Sequence, residues 1–142
     1  MRVLLDANIF ISYLLPSAIS SPIHRILQGA IEGKYILLVP DALITEFSRK
    51  VSTKPYLRER IAQEELALFI SLLRTVSERL SPITEEIPEA VRDPKDNYLV
   101  AYALIGQADY LVTGDNDLLS LQQIGTLTIL RPSEFAALLT ET

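Results

Sequence analysis

Apolar positions along this chain follow two rhythms. Short unbroken runs stand at Arg2–Leu5, Tyr35–Val39, Tyr110–Thr113 and Leu127–Leu130. Each is long enough for a strand buried on both faces. Elsewhere apolar residues recur three and four apart, as Leu66, Phe69, Ile70 and Leu73 do within Glu64–Thr75, which predicts a helix. Asn8–Leu15 reads as a short helix stopped by Pro16. Ser20 or Ser21 can cap a second helix with Pro22 at its first position, running to Ile31, with Gly33 as the stop. Pro40-Asp41 opens a helix to Val51, with Asp41 where the helix dipole favours negative charge. Tyr56–Ile61 reads as a helical turn and Val76–Leu80 as a short strand. Asp93 as N-cap and Pro94 as first residue start a helix from Lys95 to Ile105. Pro132–Leu139 closes the chain as a helix.

Strands alternating with helices predict βαβ units and a mostly parallel sheet covered on both faces. No repeat or linker divides the chain, so residues 1–142 are read as one α/β domain. In such folds, sites form beyond the carboxyl ends of the strands. Acidic residues stand at those places. Asp6 ends the first strand, and Asp115 follows Tyr110–Thr113 after one short turn. Glu46 lies about one and a half turns into the helix after Tyr35–Val39, and Asp96 in the first turn of the helix from Lys95. A parallel sheet can bring all four to one edge.

Composition narrows the chemistry. The chain has 142 residues, 49% hydrophobic and 22% charged, which excludes a disordered polypeptide. There is no cysteine and a single histidine, so disulfides, thiolate metal sites, cysteine nucleophiles and histidine-rich metal sites are excluded. A net charge of −5 excludes a bulk basic nucleic-acid binder, so a polyanionic partner needs a local basic patch or a metal. Mean hydropathy is +0.25, yet no uncharged apolar run approaches the ~20 residues of a membrane span. The excess fits a buried sheet plus an oligomer interface. Asp6 interrupts any apolar signal-peptide core at the start, and this, with the absence of cysteine, points to the cytoplasm.

Two unit charges ~4 Å apart repel by ~4 kcal/mol at an effective dielectric of ~20. Four clustered carboxylates therefore need protonation or a cation. Mg²⁺ and Mn²⁺ suit them, being hard ions that prefer oxygen ligands. A carboxylate-held divalent pair can activate water for phosphodiester hydrolysis and attract a phosphate that the domain would otherwise repel. Any one acid taken alone fits a surface or capping role better than a site role. Asp41 and Asp93 read as simple helix-start acids. Asp6 and Asp115 are harder to dismiss, because a charge directly after a buried strand needs a partner. Asn8 either orients a carboxylate or water, or caps the next helix.

These residues resemble the PIN-domain ribonuclease family, including the VapC-type toxins of toxin–antitoxin pairs. Three stretches carry the resemblance: Val3-Leu4-Leu5-Asp6-Ala7-Asn8, Asp96-Asn97-Tyr98-Leu99-Val100-Ala101, and Leu111-Val112-Thr113-Gly114-Asp115-Asn116-Asp117. Pro40-Asp41-Ala42-Leu43-Ile44-Thr45-Glu46 supplies the second acid. The resemblance implies an α/β/α three-layer sandwich and Mg²⁺- or Mn²⁺-dependent cleavage of RNA. Residue by residue, it implies Asp6, Glu46, Asp96 and Asp115 as catalytic metal ligands and Asp117 as a fifth acid. Thr113 or Asn116 would support the site by hydrogen bonds. Arg92-Asp93-Pro94-Lys95-Asp96 is similar to a subgroup of toxin components in which another acid often follows Asp96, where this chain has Asn97. Helical phase favours Asp96 over Asp93 as the acid facing the metal.

Arg49, Lys50, Lys54, Arg58 and Arg60 form a basic cluster after Glu46. It reads either as the path of a single-stranded RNA backbone or as a solvated helix face. His24, Gly106 and Gly114 read as structural. Tyr98 and Tyr102, one turn apart, read as core or interface rather than stacking platforms. The leading expectation is a metal-dependent endoribonuclease acting on single-stranded or structured RNA, held by an antitoxin and forming a homodimer. A non-catalytic PIN-like RNA- or protein-binding module is the alternative. A phospho-acceptor regulatory domain lacks the second acid beside Asp6, and an aspartyl phosphatase would want an acid where Asn8 stands.

Overall fold

The structure, a computed structural model, describes residues 1–15, 22–81 and 94–141, without the side chains of 94–97 and 141. Five strands run parallel: β1 (Arg2–Leu5), β2 (Ile36–Pro40), β3 (Ser77–Leu80), β4 (Tyr110–Val112) and β6 (Leu127–Leu130). The two-residue β5 (Gln123–Ile124) pairs antiparallel with β6. The sheet order is β3-β2-β1-β4-β6-β5. The helices are α1 (Ala7–Leu14), α2 (Pro22–Ile31), α3 (Asp41–Thr53), α4 (Pro55–Arg60), α5 (Gln63–Val76), α6 (Pro94–Ile105), α7 (Asn116–Leu119) and α8 (Pro132–Glu141).

Strand register shows that helices cover both faces. Leu4 pairs with Leu38 and Leu111, and Leu38 reaches toward Gly106 at the end of α6. A Cβ on Gly106 would stand 2.9 Å from the Tyr102 carbonyl oxygen and 3.0 Å from Leu80, so only glycine lets α6 close on the sheet there. On the opposite face, Tyr110 pairs with Val3 and packs its ring against Phe135 of α8. The result is a mostly parallel sheet flanked by helices, the expected α/β/α sandwich. Leu99 to Tyr102 of α6 are all buried, although no helix presents four successive residues to one side. The central stretch of α6 is therefore enclosed rather than laid on the surface, whereas Ile105 at its end is exposed. Phe10 of α1, Phe47 of α3 and Phe69 of α5 form an aromatic cluster with centroids 5.4 to 6.1 Å apart.

The expected elements form within one or two residues of their expected ends. Two short ones were not anticipated. α7 spans only four residues, and β5 is too short to show alternation. The turn from β5 to β6 uses Gly125 at φ 60°, a left-handed conformation that glycine adopts without strain. Asp6, not Asn8, caps α1 by accepting from the Asn8 backbone N–H. The expected stop at Pro16 and the caps at Ser20, Ser21 and Asp93 lie outside the described residues.

The chain proceeds outward from β1 through β2 to β3, then returns to place β4 on the other side of β1. The direction of winding reverses between β1 and β4. A crevice opens at the carboxyl ends of strands at such a reversal.

Candidate active site

Asp6 and Asp115 leave β1 and β4 on either side of this reversal. The Asp6 backbone N–H donates to the Val112 carbonyl at 3.0 Å, carrying the β1–β4 ladder one residue past the strand. That step sets Asp6 beside Thr113. The Thr113 hydroxyl, fully buried, donates to Asp6 Oδ2 at 2.7 Å and accepts the Asp115 backbone N–H at 3.0 Å. One threonine thus ties the two acidic loops together. Asp6 Oδ1 also accepts the Asn8 backbone N–H at 3.4 Å, and Asp115 Oδ1 accepts the Asp117 backbone N–H at 2.9 Å. Both carboxylates therefore cap short helices, which fixes their orientation.

Glu46 arrives from a third element. α3 buries Leu43, Phe47 and Val51, which leaves Glu46 and Lys50 half-buried on a neighbouring stripe one turn apart. Glu46 Oε2 accepts a 2.6 Å hydrogen bond from the Tyr98 hydroxyl of α6. A cleft of about 580 Å³ is lined by Asp6, Asn8, Glu46, Asp115 and Tyr98, with Arg49, Lys50 and Lys54.

Asp6 is only 8% exposed. Burial pushes its carboxyl above the ordinary aspartate range. The Thr113 and Asn8 hydrogen bonds and the Lys50 charge pull it down, while the Glu46 charge pushes it further up. Burial, the Glu46 bond and the charges of Glu46 and Asp6 all push the Tyr98 hydroxyl upward, so it keeps its proton and remains a donor.

The structure brings Asp6, Glu46 and Asp115 to one cleft, with Asn8 and three of the five basic residues. Asp96 lies in the first turn of α6, and its side chain is outside the described part. Asn116 lines a separate hollow with Ser120 and Arg131, and Asp117 lies exposed in the first turn of α7. Arg58 is exposed on α4, and the Arg60 guanidinium sits 3.7 Å over the Tyr56 ring. His24 stacks on Tyr13 and borders a different hollow between α2 and α8. Among the described residues, no three acidic or imidazole side chains group closely enough to hold a metal ion. The donor type nevertheless suits a hard divalent cation, since three carboxylates line one cleft and the Glu46 charge acts on Asp6. Tyr98 was missed from sequence, where it looked like core. Its polar tip two residues after Asp96 was the available signal.

Comparison with known proteins decides the family: the PIN domain family matches residues 2–117. The chain belongs to the PIN domain family. Among solved structures, this PIN domain is similar to a chain of VapBC2 from Rickettsia felis, determined bound to a DNA fragment from their promoter. The TM-score is 0.62 at 14% identity, covering 92% of this chain and 98% of that one. PAE2754 from Pyrobaculum aerophilum gives a TM-score of 0.55 at 17% identity, with 100% of this chain and 91% of that one covered. At these identities the likeness shows the fold. No curated protein matches this sequence.

Proposed function

We propose that this PIN domain is a metal-dependent endoribonuclease and the toxin of a toxin–antitoxin pair. The observation that carries the reading is the cleft itself: Asp6, Glu46 and Asp115 share it with Arg49, Lys50 and Lys54. Carboxylates alone would repel a phosphodiester, and cations alone would bind it without reaction. Asp6, Glu46, Asp96 and Asp115 are the residues that would hold Mg²⁺ or Mn²⁺. Such a cation, when bound, lowers the pKa of water and neutralises charge on the scissile phosphate. Thr113 and the two helix caps keep Asp6 and Asp115 aimed at the cleft. Lys50 offsets the concentrated negative charge beside Asp6. Arg49 and Lys54, exposed on the rim, suit the flanking phosphates of a single-stranded RNA. On this reading the water oxygen forms a new bond to phosphorus and gives up a proton to solvent, while the P–O bond to the leaving oxygen breaks and that oxygen takes up a proton, with no covalent link to the protein.

The VapBC2 likeness supports an antitoxin as partner; on this reading the antitoxin would cover the cleft and its apolar borders, and the chain would form a homodimer. Action in the cytoplasm is part of the same reading. No helix among the described residues is long and apolar enough to cross a membrane. The second reading is a non-catalytic RNA- or protein-binding module. The basic residues of the cleft, Arg49, Lys50 and Lys54, would serve such a module as well as they would a nuclease. Cleavage of a mixed single-stranded RNA pool with Mg²⁺, Mn²⁺ or EDTA separates the two. The nuclease reading expects scission with either metal and none with EDTA. RNA retained intact under all three conditions would favour the module.

A further inference from the structure

Tyr98 reaches a candidate ligand from the opposite wall of the cleft. Its hydroxyl donates to Glu46 Oε2 at 2.6 Å, joining α6 to α3. Its ring packs edge-on against Tyr102, with centroids 6.3 Å apart. Tyr102 is buried and Tyr98 is half-buried, so the inner ring braces the outer one. Among the described residues, Glu46 Oε1 accepts no hydrogen bond.

We infer that Tyr98 is a positioning residue: its hydroxyl holds the Glu46 carboxylate so that the second oxygen faces the cleft. The inference rests on the metal-site reading above. A neutral donor suits this task better than a cation. A lysine or arginine would form an ion pair with Glu46 and cancel the charge a divalent ion needs. A phenol orients one oxygen and leaves the negative charge in place. Without it, Glu46 hangs from one end of a side chain with three rotatable bonds. Residues that orient a ligating carboxylate typically contribute ~10–100-fold to metal affinity or activity.

The test compares wild type with Tyr98→Phe, which keeps the ring and deletes only the oxygen. Tyr102→Phe, the same deletion on the bracing ring, is the control. Mn²⁺ affinity is measured by calorimetry, and RNA cleavage is followed at saturating Mn²⁺, with circular dichroism to check folding. The expected result is an Mn²⁺ dissociation constant raised about ten-fold or more in Tyr98→Phe, unchanged in Tyr102→Phe, with KM for RNA unaltered. An unchanged Mn²⁺ affinity in Tyr98→Phe overturns the inference. So does a raised KM for RNA with normal Mn²⁺ binding, which would make Tyr98 an RNA contact. Absence of Mn²⁺ binding by wild type would instead overturn the metal-site reading, and the inference with it.

Discussion

Thr113 carries more of the site than its size suggests. It is fully buried, and its one hydroxyl serves Asp6 as donor and the Asp115 backbone as acceptor. Thr113→Val keeps the shape and removes both bonds. A hydrogen bond to a charged group contributes ~1.5–3 kcal/mol, so urea denaturation should show a loss of that order. Cleavage should fall ~10–100-fold, because Asp6 and Asp115 lose their common tether. Residues of this kind were partly legible in the sequence. Asp6 and Asp115 stood out because charge directly after a buried run needs a reason, and Thr113 came through the resemblance. Asn8 illustrates the limit. Its side chain read equally as a cap or as a group orienting a carboxylate or water; the Asp6 carboxylate takes the cap's place, accepting the Asn8 backbone N–H. Asx and helix-cap geometries compete for the same short spacing, and sequence does not separate them.

Among the elements, β3 is the most dependent on charge. It is an edge strand of the sheet, with every residue at least partly exposed, and two ion pairs tie it down. Arg2 of β1 pairs with Glu78 at 2.5 Å, and Arg79 grips Asp41 of α3 through Nε and Nη2. The Arg2 guanidinium holds Glu78 below the ordinary glutamate range, and Arg79 does the same for Asp41. A carboxylate depressed in the folded state stabilises above its unfolded pKa, and that gain is lost as pH falls through the folded value. Glu78→Gln should therefore cost at most about 1 kcal/mol at pH 7, the ceiling for exposed pairs, and less at pH 3. Melting both proteins at the two values checks this. The same element shows what the chain order could reveal. A short strand at Val76–Leu80 was visible as an apolar-edged run, but its place at the sheet edge depends on pairing with β2, which local pattern does not encode. β5 and α7 escaped for a simpler reason: two and four residues carry no period.

For the molecule as a whole, sheet order converts separate motifs into one cleft. Asp6 and Asp115 are more than a hundred residues apart in the chain, yet the reversal between β1 and β4 sets them side by side. Glu46 joins them because the tight turn from β2 into α3 points that helix out of the same sheet edge. The α/β class was legible from unbroken apolar runs alternating with helical spacing, whereas the β3-β2-β1-β4-β6-β5 order was not. The bulk charge of −5 also hides a local inversion, since Arg49, Lys50 and Lys54 all border the acidic cleft. Reversing Arg49 and Lys50 to glutamate should weaken RNA binding and reduce its logarithmic salt slope by about 1.4, at ~0.7 per phosphate contact on a single strand. Filter binding between low and moderate salt measures that slope, and an unchanged value would remove both residues from the RNA path.

The central claim is that the strand-end carboxylates run phosphodiester hydrolysis, and Asp6 tests it best. Among the described charges of the cleft it is the most buried, and burial opposes its ionisation. Asp6→Asn removes that charge at nearly constant shape, so the metal-free protein should melt no lower than wild type at neutral pH. The decisive measurement is Mn²⁺-dependent cleavage of a mixed single-stranded RNA pool by wild type beside folded Asp6→Asn. The account predicts scission by wild type and a loss of at least about 100-fold in the variant. Equal cleavage by the two proteins, or none by a wild type that binds Mn²⁺, would contradict it.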